Sequence, residues 1–274
     1  MKLLIDIGNT RVKLARLDGR ELQFLAAFAT EDEQALVEGI SEHVKSSAPH
    51  LAPHSATYQA AWGVCVGAPE LQRLVQTAVG ASTPIQWVSS SASAAGITNS
   101  YPDPTQLGAD RWVAIVGLIR HFTAGGAVES ALQKSIDKSP SLVLATFGTA
   151  TTVDTLGGDL TFRGGLILPG VVMMRHSLAA GTARLPAASG QVADNPTNTT
   201  SAIASGIVAA QIGALTRQVA IAQQQDGVPP VVCVSGGAYE EVRLALDKAM
   251  PGFSGHHLPH VVLDGLAVLA NQTV

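Results

Sequence analysis

The sequence is short of basic residues, of cysteine and of long apolar runs. Its 17 Lys and Arg stand against 21 Asp and Glu, a formal net charge of −4, which argues against binding nucleic acid through a basic surface. Two cysteines, Cys65 and Cys233, cannot form a disulfide framework and suit a reducing compartment. No apolar run approaches the length of about 18 residues that a membrane-spanning helix needs. We therefore expect a cytoplasmic protein whose partners include neither nucleic acid nor a membrane.

The residues that are plentiful indicate a globular α/β fold. Of 274 residues, 46 % are hydrophobic and 14 % charged, so the chain can bury enough apolar surface to offset its conformational entropy. Two strand–turn–strand patterns, around Gly8 and Gly148, align at an offset of 140, and helical segments follow each. This order predicts two related halves with a cleft between them. We place them at residues 1–110 and 111–274, and predict loops at 46–55 and 123–140.

The first glycine turn lies within Asp6-Ile7-Gly8-Asn9-Thr10-Arg11-Val12-Lys13. Glycine lets the backbone approach a phosphate closely, while Thr10 and Lys13 offer a hydroxyl and a cation at the same place. Asp6, at the end of a strand, is placed to hold a hydrated Mg²⁺. The alternative is an ordinary hairpin turn with a solvated Lys13. A Walker loop is excluded, because its Gly-x-x-x-x-Gly-Lys-Ser/Thr pattern is absent from the chain.

Two further glycine turns could contact a nucleotide. Phe147-Gly148-Thr149-Ala150-Thr151-Thr152-Val153-Asp154 carries three threonines that can donate hydrogen bonds to phosphate oxygens. Its alternative is a β-turn followed by β-branched strand residues. Ser235-Gly236-Gly237-Ala238 joins a strand to a helix and would let a flat adenine or ribose lie against the backbone. Taken alone this last turn is a weak signal, because glycine turns before helices are common.

The segment Gly108-Ala109-Asp110-Arg111 is a candidate substrate site. Asp103 as N-cap and Pro104 at the first position predict a helix from Pro104 to about His121. Gly108 would then lie in the second turn, at a cost of about 1 kcal/mol relative to Ala, which suggests that something approaches closely there. Asp110 could accept a hydroxyl proton and Arg111 could bind an anion. The alternative is a surface ion pair.

In this order and spacing, the motifs resemble those of the type III pantothenate kinases, members of the acetate kinase/Hsp70/actin-like superfamily. The resemblance implies an α/β fold of two related actin-like (ribonuclease H-like) domains with an ATP cleft between them. It also implies ATP-dependent phosphorylation of pantothenate to 4'-phosphopantothenate, the first step of coenzyme A biosynthesis. The matching segments are D-I-G-N-T-R-V-K from Asp6, Y-P-D-P-T-Q-L-G-A-D-R-W from Tyr101, F-G-T-A-T-T-V-D from Phe147, G-G-L-I-L-P-G-V from Gly164 and G-T-A-R-L-P from Gly181.

The same resemblance implies roles for individual residues. ATP and its Mg²⁺ would be held by the first turn, with Asp6 on the metal, through residues Asp6, Ile7, Gly8, Asn9, Thr10, Arg11, Val12 and Lys13. Thr149 would contact ATP, and Gly236 with Gly237 would flank adenosine. Pantothenate would be bound by Tyr101, Gly108, Ala109, Asp110 and Arg111, with Asp110 as general base. Thr182 would complete the pantothenate pocket of the neighbouring subunit, since the family is homodimeric.

One position departs from the family pattern. The family has an Asp two residues before its Gly-Thr-Ala turn, where it ligates an activating monovalent cation, K⁺ or NH₄⁺. This chain has Thr146 there, a neutral hydroxyl. Either other oxygens hold the cation more weakly, or this protein needs it less.

Two other functions fit the same motifs. The first is a kinase of the same superfamily that acts on another small hydroxylated acid or on a sugar. The second is a non-catalytic, ATP-binding transcriptional regulator on the same fold. Asp6, Lys13 and Asp110 favour an enzyme, because a regulator could lose Asp110 without harm.

Overall fold

The computed structural model describes residues 1–46, 58–123, 139–181, 190–251 and 255–272. Thr182 and almost all of the loops predicted at 46–55 and 123–140 lie outside these residues. Contacts divide the chain into two units, Met1–Gly125 with His260–Val274 and Gly126–Pro259. This division differs from the predicted boundary between residues 110 and 111, because the helix that begins at Ala109 packs as a whole within the first unit.

The first unit is built on a sheet with the strand order β3-β2-β1-β4-β5. β1 pairs antiparallel with β2 and parallel with β4. As the central strand it is buried along nearly its whole length, which its unbroken apolar run Leu3-Leu4-Ile5 favours. The strands are β1 (Lys2–Ile7), β2 (Arg11–Asp18), β3 (Glu21–Ala29), β4 (Ala60–Cys65), β5 (Ile85–Trp87) and a short pair, β6 (Ser93–Ala94) and β7 (Ile97–Asn99).

Helices cover this sheet with apolar faces. Leu36 and Ile40, spaced one turn apart on α1, are buried against Leu3 and Ile5, as their spacing predicts. α3 and α7 touch at two glycines: a Cβ on Gly117 would lie 2.0 Å from the Val261 carbonyl oxygen. The helices are α1 (Glu33–Ser46), α2 (Pro69–Val79), α3 (Ala109–Thr123) and α7 (Val261–Gln272), and Gly265 is the second glycine.

The second unit has the strand order β10-β9-β8-β11-β12. Phe147, Val153 and Val234 on one face of this sheet pack in a single core with helical residues such as Ile207 and Leu215. The strands are β8 (Leu142–Phe147), β9 (Ala150–Leu156), β10 (Thr161–Pro169), β11 (Val231–Ser235) and β12 (His256–His257). The helices are α4 (Val171–Gly181), α5 (Thr199–Asp226) and α6 (Tyr239–Ala249).

The two sheets share one topology. In each, the first strand is central, the second and third follow antiparallel on one side, and the fourth and fifth follow parallel on the other. The internal repeat predicted from the offset of 140 is therefore confirmed at the level of strand order.

Among the described residues, α5 is the one helix long and apolar enough to cross a membrane by length and composition. Asn198 caps its start by accepting a hydrogen bond from Ser201 N at 3.0 Å, and Gly227 ends it with a φ of +74°. Its buried face contributes Ile203 and Leu215 to the core of the second unit. A core helix of a large domain meets the same length and composition test, and this burial assigns α5 to the core.

Candidate active site

The first hairpin places a carboxylate and an ammonium group opposite each other. Asp6 on β1 is the direct cross-strand partner of Lys13 on β2. Asp6 Oδ2 lies 3.3 Å from Lys13 Nζ, and the Asp6 residue is only 7 % exposed. Lys13 is therefore not the solvated strand residue of an ordinary hairpin, since it pairs with a buried carboxylate.

The charge on Asp6 is costly where it lies. Burial raises the pKa of Asp6 above its usual value; Lys13 opposes the rise and the Asp110 carboxylate adds to it. Two carboxylates of one unit thus act on each other, and Lys13 offsets part of the charge of Asp6. Such a site favours a further cation that would neutralise the excess negative charge.

The turn of this hairpin is held by its backbone. Gly8 N donates to Arg11 O at 3.0 Å and closes the turn. Thr30, the residue after β3, donates from its N to Thr10 O at 3.1 Å and from Oγ1 to Asn9 O at 2.8 Å. The carbonyl groups of Asn9 and Thr10 are therefore both directed towards Thr30.

The helix predicted to begin at Pro104 begins later, and that prediction was wrong. Pro104–Gln106 forms only a single 3₁₀ turn, capped by Asp103, which accepts from Thr105 N at 3.0 Å. Leu107 is then extended and α3 begins at Ala109. Gly108 thus precedes the helix, so the expected cost of a glycine within a helix does not arise.

Gly108 leaves room for the carboxylate of Asp110. A Cβ at position 108 would lie 2.8 Å from Asp110 Oδ1. Asp110 lies in the first turn of α3, where its Oδ1 accepts from Arg111 N at 2.8 Å. A negative charge in the first turn of a helix is stabilised by the helix dipole. The fold therefore presents the Asp110 carboxylate from a rigid element.

Arg111 is buried beside Tyr101. It is 7 % exposed, and its Nη1 lies 3.5 Å from Tyr101 Oη. Asn99 fixes Tyr101, because its Oδ1 accepts from Tyr101 N at 3.0 Å while its Nδ2 donates to Ser91 O at 3.2 Å. A buried guanidinium and a phenol on one side favour an anion-binding group over the alternative of a surface ion pair.

The second unit carries the turn of Gly148 and Thr149. Gly148 N donates to Ala150 O at 3.1 Å, and Gly170 N donates to Thr149 O at 3.0 Å. A Cβ on Gly170 would lie 2.1 Å from Gly148 O. As in the first turn, the glycine N–H donates to the first residue of the following strand, and the residue after the third strand donates to the last carbonyl of the turn.

The glycine pair after β11 packs against this turn. Gly236 has a φ of +95°, and a Cβ there would lie 2.2 Å from Phe147 O. Ala238 N donates to the same oxygen at 3.0 Å. Gly237, in contrast, has no atom within 4 Å of a Cβ built on it. One glycine is required for packing and the other leaves an open backbone face, the surface expected for a flat adenosine.

Thr146 lies in a row of hydroxyl side chains. Its cross-strand partners are Thr152 on β9 and Ser235 on β11, and residues in register on neighbouring strands point to the same face. The position where the resemblance implies a carboxylate is therefore flanked by two further neutral oxygens.

Sequence reasoning missed Thr30, Gly170 and Asn99. One available signal was the offset of 140, which carries Thr30 onto Gly170 as it carries Gly8 onto Gly148. The roles expected for Asp6, Asp110, Arg111 and Tyr101 stay predictions, but the first unit brings these residues together. Thr149, Gly236 and Gly237 lie together in the second unit.

The two matching sheets define the class of fold. The chain resembles a conserved putative Baf family transcriptional activator from Campylobacter jejuni, with a TM-score of 0.52 and 15 % identity over 99 % of this chain and 98 % of that one. It also resembles a glucokinase from Balamuthia mandrillaris in complex with glucose, with a TM-score of 0.51 and 12 % identity over 98 % and 93 %. The fold is the actin-like α/β fold, as predicted.

Sequence comparison narrows this class to one family. The model of the type III pantothenate kinase family matches residues 2–221. A type III pantothenate kinase from Bordetella petrii is 42 % identical over 99 % of this chain and 98 % of its own length. One from Aromatoleum aromaticum is 34 % identical over 99 % and 98 %. The chain belongs to the type III pantothenate kinase family.

Proposed function

We propose that this protein transfers the γ-phosphoryl group of ATP to the primary hydroxyl of pantothenate, which gives 4'-phosphopantothenate and opens coenzyme A biosynthesis. The observation that carries the proposal is the match to pantothenate kinases along almost the whole chain. The juxtaposition of Asp6, Lys13 and Asp110 in one unit supports it.

The transcriptional regulator is not favoured. The structural neighbour with that description shares only the fold at 15 % identity, whereas relatives at 34 % and 42 % identity are pantothenate kinases. Asp110 and Arg111 are also built into the start of α3 with room made for the carboxylate by Gly108. A protein that only binds ATP needs no such arrangement.

The first turn supplies the cation site. Asp6 fits a hydrated Mg²⁺, because Mg²⁺ in phosphoryl-transfer sites is held by one or two carboxylates and by substrate phosphates. Among the described residues no group of three or more His, Cys, Asp or Glu could hold a metal ion. When bound, Mg²⁺ would neutralise charge on the phosphates. Lys13 would lower the pKa of Asp6 towards its usual value and add a positive charge beside the turn.

The start of α3 supplies the acceptor side of the reaction. Asp110 accepts the proton of the pantothenate hydroxyl, and the first turn of α3 holds its carboxylate in a fixed position for that purpose. Arg111 and Tyr101 bind the substrate carboxylate, with Gly108 and Ala109 lining the same place. Phosphoryl transfer asks a protein mainly for positioning and charge neutralisation, and these residues provide both.

The turns of the second unit supply the rest of the nucleotide contacts. Thr149 binds a phosphate oxygen, and the open backbone face at Gly237 with the tightly packed Gly236 accommodates adenosine. A monovalent cation, K⁺ or NH₄⁺, would meet the neutral hydroxyl groups of Thr146, Thr152 and Ser235 here in place of a carboxylate, so we propose a weak requirement for it.

We further propose a homodimer in the cytoplasm, with Thr182 reaching the pocket of the neighbouring subunit. Exposed apolar side chains on β10 and α4 support an interface there: Ile167 is 63 % exposed, and Val172 and Met173 are also exposed. The substitution Ile167→Asp should shift the sedimentation mass from dimer to monomer. Leu244→Asp, at a position that is 73 % exposed on α6, is the matched control and should leave the mass unchanged.

The proposed location in the cytoplasm is supported by the two free cysteines, Cys65 and Cys233, which suit a reducing compartment.

A coupled assay of ADP release tests the reaction. Purified protein is given MgATP with pantothenate or with a panel of sugars and short hydroxy acids, and a reaction without acceptor gives the background. We expect turnover with pantothenate alone and a product of the mass of phosphopantothenate. Turnover on a sugar instead would favour another kinase of the superfamily, and nucleotide binding without turnover on any acceptor would favour the regulator.

A further inference from the structure

Each sheet has a glycine turn between its first and second strands, and the residue that follows its third strand donates a backbone hydrogen bond to that turn. In the first unit this residue is Thr30, whose N–H donates to Thr10 O at 3.1 Å. In the second unit it is Gly170, whose N–H donates to Thr149 O at 3.0 Å. β3 and β10 are each the third strand of their sheet and pair with the second strand. The two backbone hydrogen bonds therefore occupy equivalent positions, at the end of the pairing between the second and third strands.

These bonds fix the direction of N–H groups in the turns. A peptide group is planar, and its C=O and N–H point in opposite directions. The bond from Thr30 draws the Thr10 carbonyl towards the end of β3 and therefore aims the N–H of Arg11 away from it. The bond from Gly170 does the same for the N–H of Ala150. Backbone N–H groups of glycine turns are groups that cradle phosphates.

The two residues that hold the turns, Thr30 and Gly170, differ in their side chains. Thr30 adds a second hydrogen bond, from its Oγ1 to Asn9 O at 2.8 Å. This bond fixes the preceding peptide group of the turn, between Asn9 and Thr10. Gly170 has no room for a side chain, since a Cβ there would lie 2.1 Å from Gly148 O and 2.6 Å from Thr149 O. The preceding carbonyl, Pro169 O, accepts from Gln211 Nε2 at 2.9 Å, and Gln211 is fully buried on α5. Gly170 is thus anchored to the core.

We propose that Thr30 and Gly170 are positioning residues for the phosphates of ATP. Thr30 acts through Asn9 and Thr10, and Gly170 acts through Thr149. The inference rests on the proposed function, because it takes ATP as the ligand. It concerns the nucleotide alone, and it assigns neither residue a contact with pantothenate.

Thr30 offers a conservative series that tests the first fastening. Thr30→Val removes the hydroxyl with little change of shape, and Thr30→Ser restores it. Thr77→Val is the matched control, because Thr77 Oγ1 also donates to a backbone carbonyl, Arg73 O, at 2.9 Å on α2. We expect Thr30→Val to raise both the KM for ATP and the Kd of a non-hydrolysable ATP analogue about 3- to 10-fold, the factor for one hydrogen bond. Thr30→Ser and Thr77→Val should keep the wild-type values, and the KM for pantothenate should not change.

Gly170 tests the second fastening. Gly170→Ala must displace the turn of Gly148 and Thr149, and misplacement of a binding group by about 1 Å can cost up to about 100-fold. Gly206→Ala is the matched control, because a Cβ on Gly206 of α5 meets no atom within 4 Å. We expect the analogue Kd to rise at least about tenfold in Gly170→Ala and to stay at the wild-type value in Gly206→Ala.

Several outcomes would overturn the inference. One is a lower melting temperature of Thr30→Val with an unchanged analogue Kd, which would leave Thr30 a structural role only. Another is an equal rise of the KM for pantothenate, which would indicate general distortion. If Gly170→Ala fails to fold, the Thr30 series decides alone. If wild-type protein binds the analogue but phosphorylates no pantothenate, the proposed function fails while the Kd comparison still decides the positioning roles.

Discussion

The two hairpins of the internal repeat, β1–β2 and β8–β9, are held by equivalent backbone hydrogen bonds but differ in the charge of their side chains. Two residues before its glycine, the first hairpin has Asp6 opposite Lys13, and the second has Thr146 opposite Thr152. Both turns are closed by a glycine N–H and fastened by the residue after the third strand. The strand pattern and the glycine therefore determine the turn, while the register position beside it accepts either an ion pair or two hydroxyls.

The largest difference in activity is expected between substitutions of Asp6 and of Thr146, which occupy this register position in the two hairpins. Asp6→Asn should abolish turnover, because a neutral amide holds Mg²⁺ poorly and leaves Lys13 without its carboxylate. Thr146→Val, at the equivalent position of the second hairpin, should keep most of it. Steady-state kcat of the two variants, with circular dichroism to confirm folding, gives the comparison. Near-wild-type activity of Asp6→Asn at ordinary Mg²⁺ would remove Asp6 from the site.

The second largest effect is expected at Asp110, which adds a further charged group to the first unit. Asp110→Asn keeps the size of the side chain but cannot accept a proton, so kcat should fall about 10²- to 10⁴-fold while ATP binding is retained. The measurement is kcat together with the Kd of an ATP analogue. A variant that keeps more than about a tenth of the wild-type kcat would show that Asp110 is not the general base.

Arg111 should separate binding from chemistry. Arg111→Ala removes the partner that we propose for the substrate carboxylate, so the KM for pantothenate should rise about 10- to 100-fold, the factor for a bond to a charged group. kcat should fall by less. Kinetics with pantothenate varied at saturating ATP measure both, and a fall confined to kcat would argue against a substrate contact.

The second hairpin should respond to monovalent cations only weakly. Wild-type activity should depend on K⁺ or NH₄⁺ slightly, or only at high concentration, because Thr146 brings no negative charge. Thr146→Asp introduces a carboxylate between Thr152 and Ser235 and should lower the K⁺ concentration for half-maximal activity. A sharp, high-affinity K⁺ requirement of the wild type would contradict this and would mean that other oxygens supply the site.

The smallest expected effect is on stability. The folded-state pKa of Asp6 is raised above its usual 3.8, so its contribution to stability is full below that pH and is lost as the pH rises through the folded pKa. At pH 7 the raised pKa of Asp6 therefore costs stability in the free protein, and Asp6→Asn should raise the melting temperature there. Melting curves at pH 7 and at the lowest pH that preserves the fold test this. A lower melting temperature of Asp6→Asn at pH 7 would mean that the pair with Lys13 outweighs burial.

The sequence predicted what depends on local pattern. Both hairpins and the internal repeat follow from strand patterns interrupted by glycine turns, and the turn residues of each hairpin were predicted from its own short motif. The start of α3 was misplaced, because Asp103 and Pro104 give a good helix start that continues for only one 3₁₀ turn. The extended Leu107 interrupts it, and no local signal at that residue indicates this.

Other parts of the site depend on distant pairing. Thr30 reaches Asn9 only because β3 folds back along β2, and Gly170 reaches Thr149 only through the matching strand of the second sheet. Asn99 bonds Tyr101 directly, two residues along the chain, and is itself held by its bond to Ser91 O across the short hairpin of β6 and β7. The bonds of Thr30 and Gly170 join residues whose proximity is set by sheet register, which a reading of short motifs does not supply.

The close crossing of α3 with α7 has a consequence for the order of events during synthesis. α7 spans residues 261–272, so the ribosome makes it after every residue of the second unit. Domains generally fold as their chain emerges, yet α3 cannot reach its final packing until Gly265 and Val261 have arrived to meet Val113 and Gly117. The unit that begins first is therefore completed after the second unit has been made, and the helix that carries Asp110 reaches its final packing only once α7 has been synthesised.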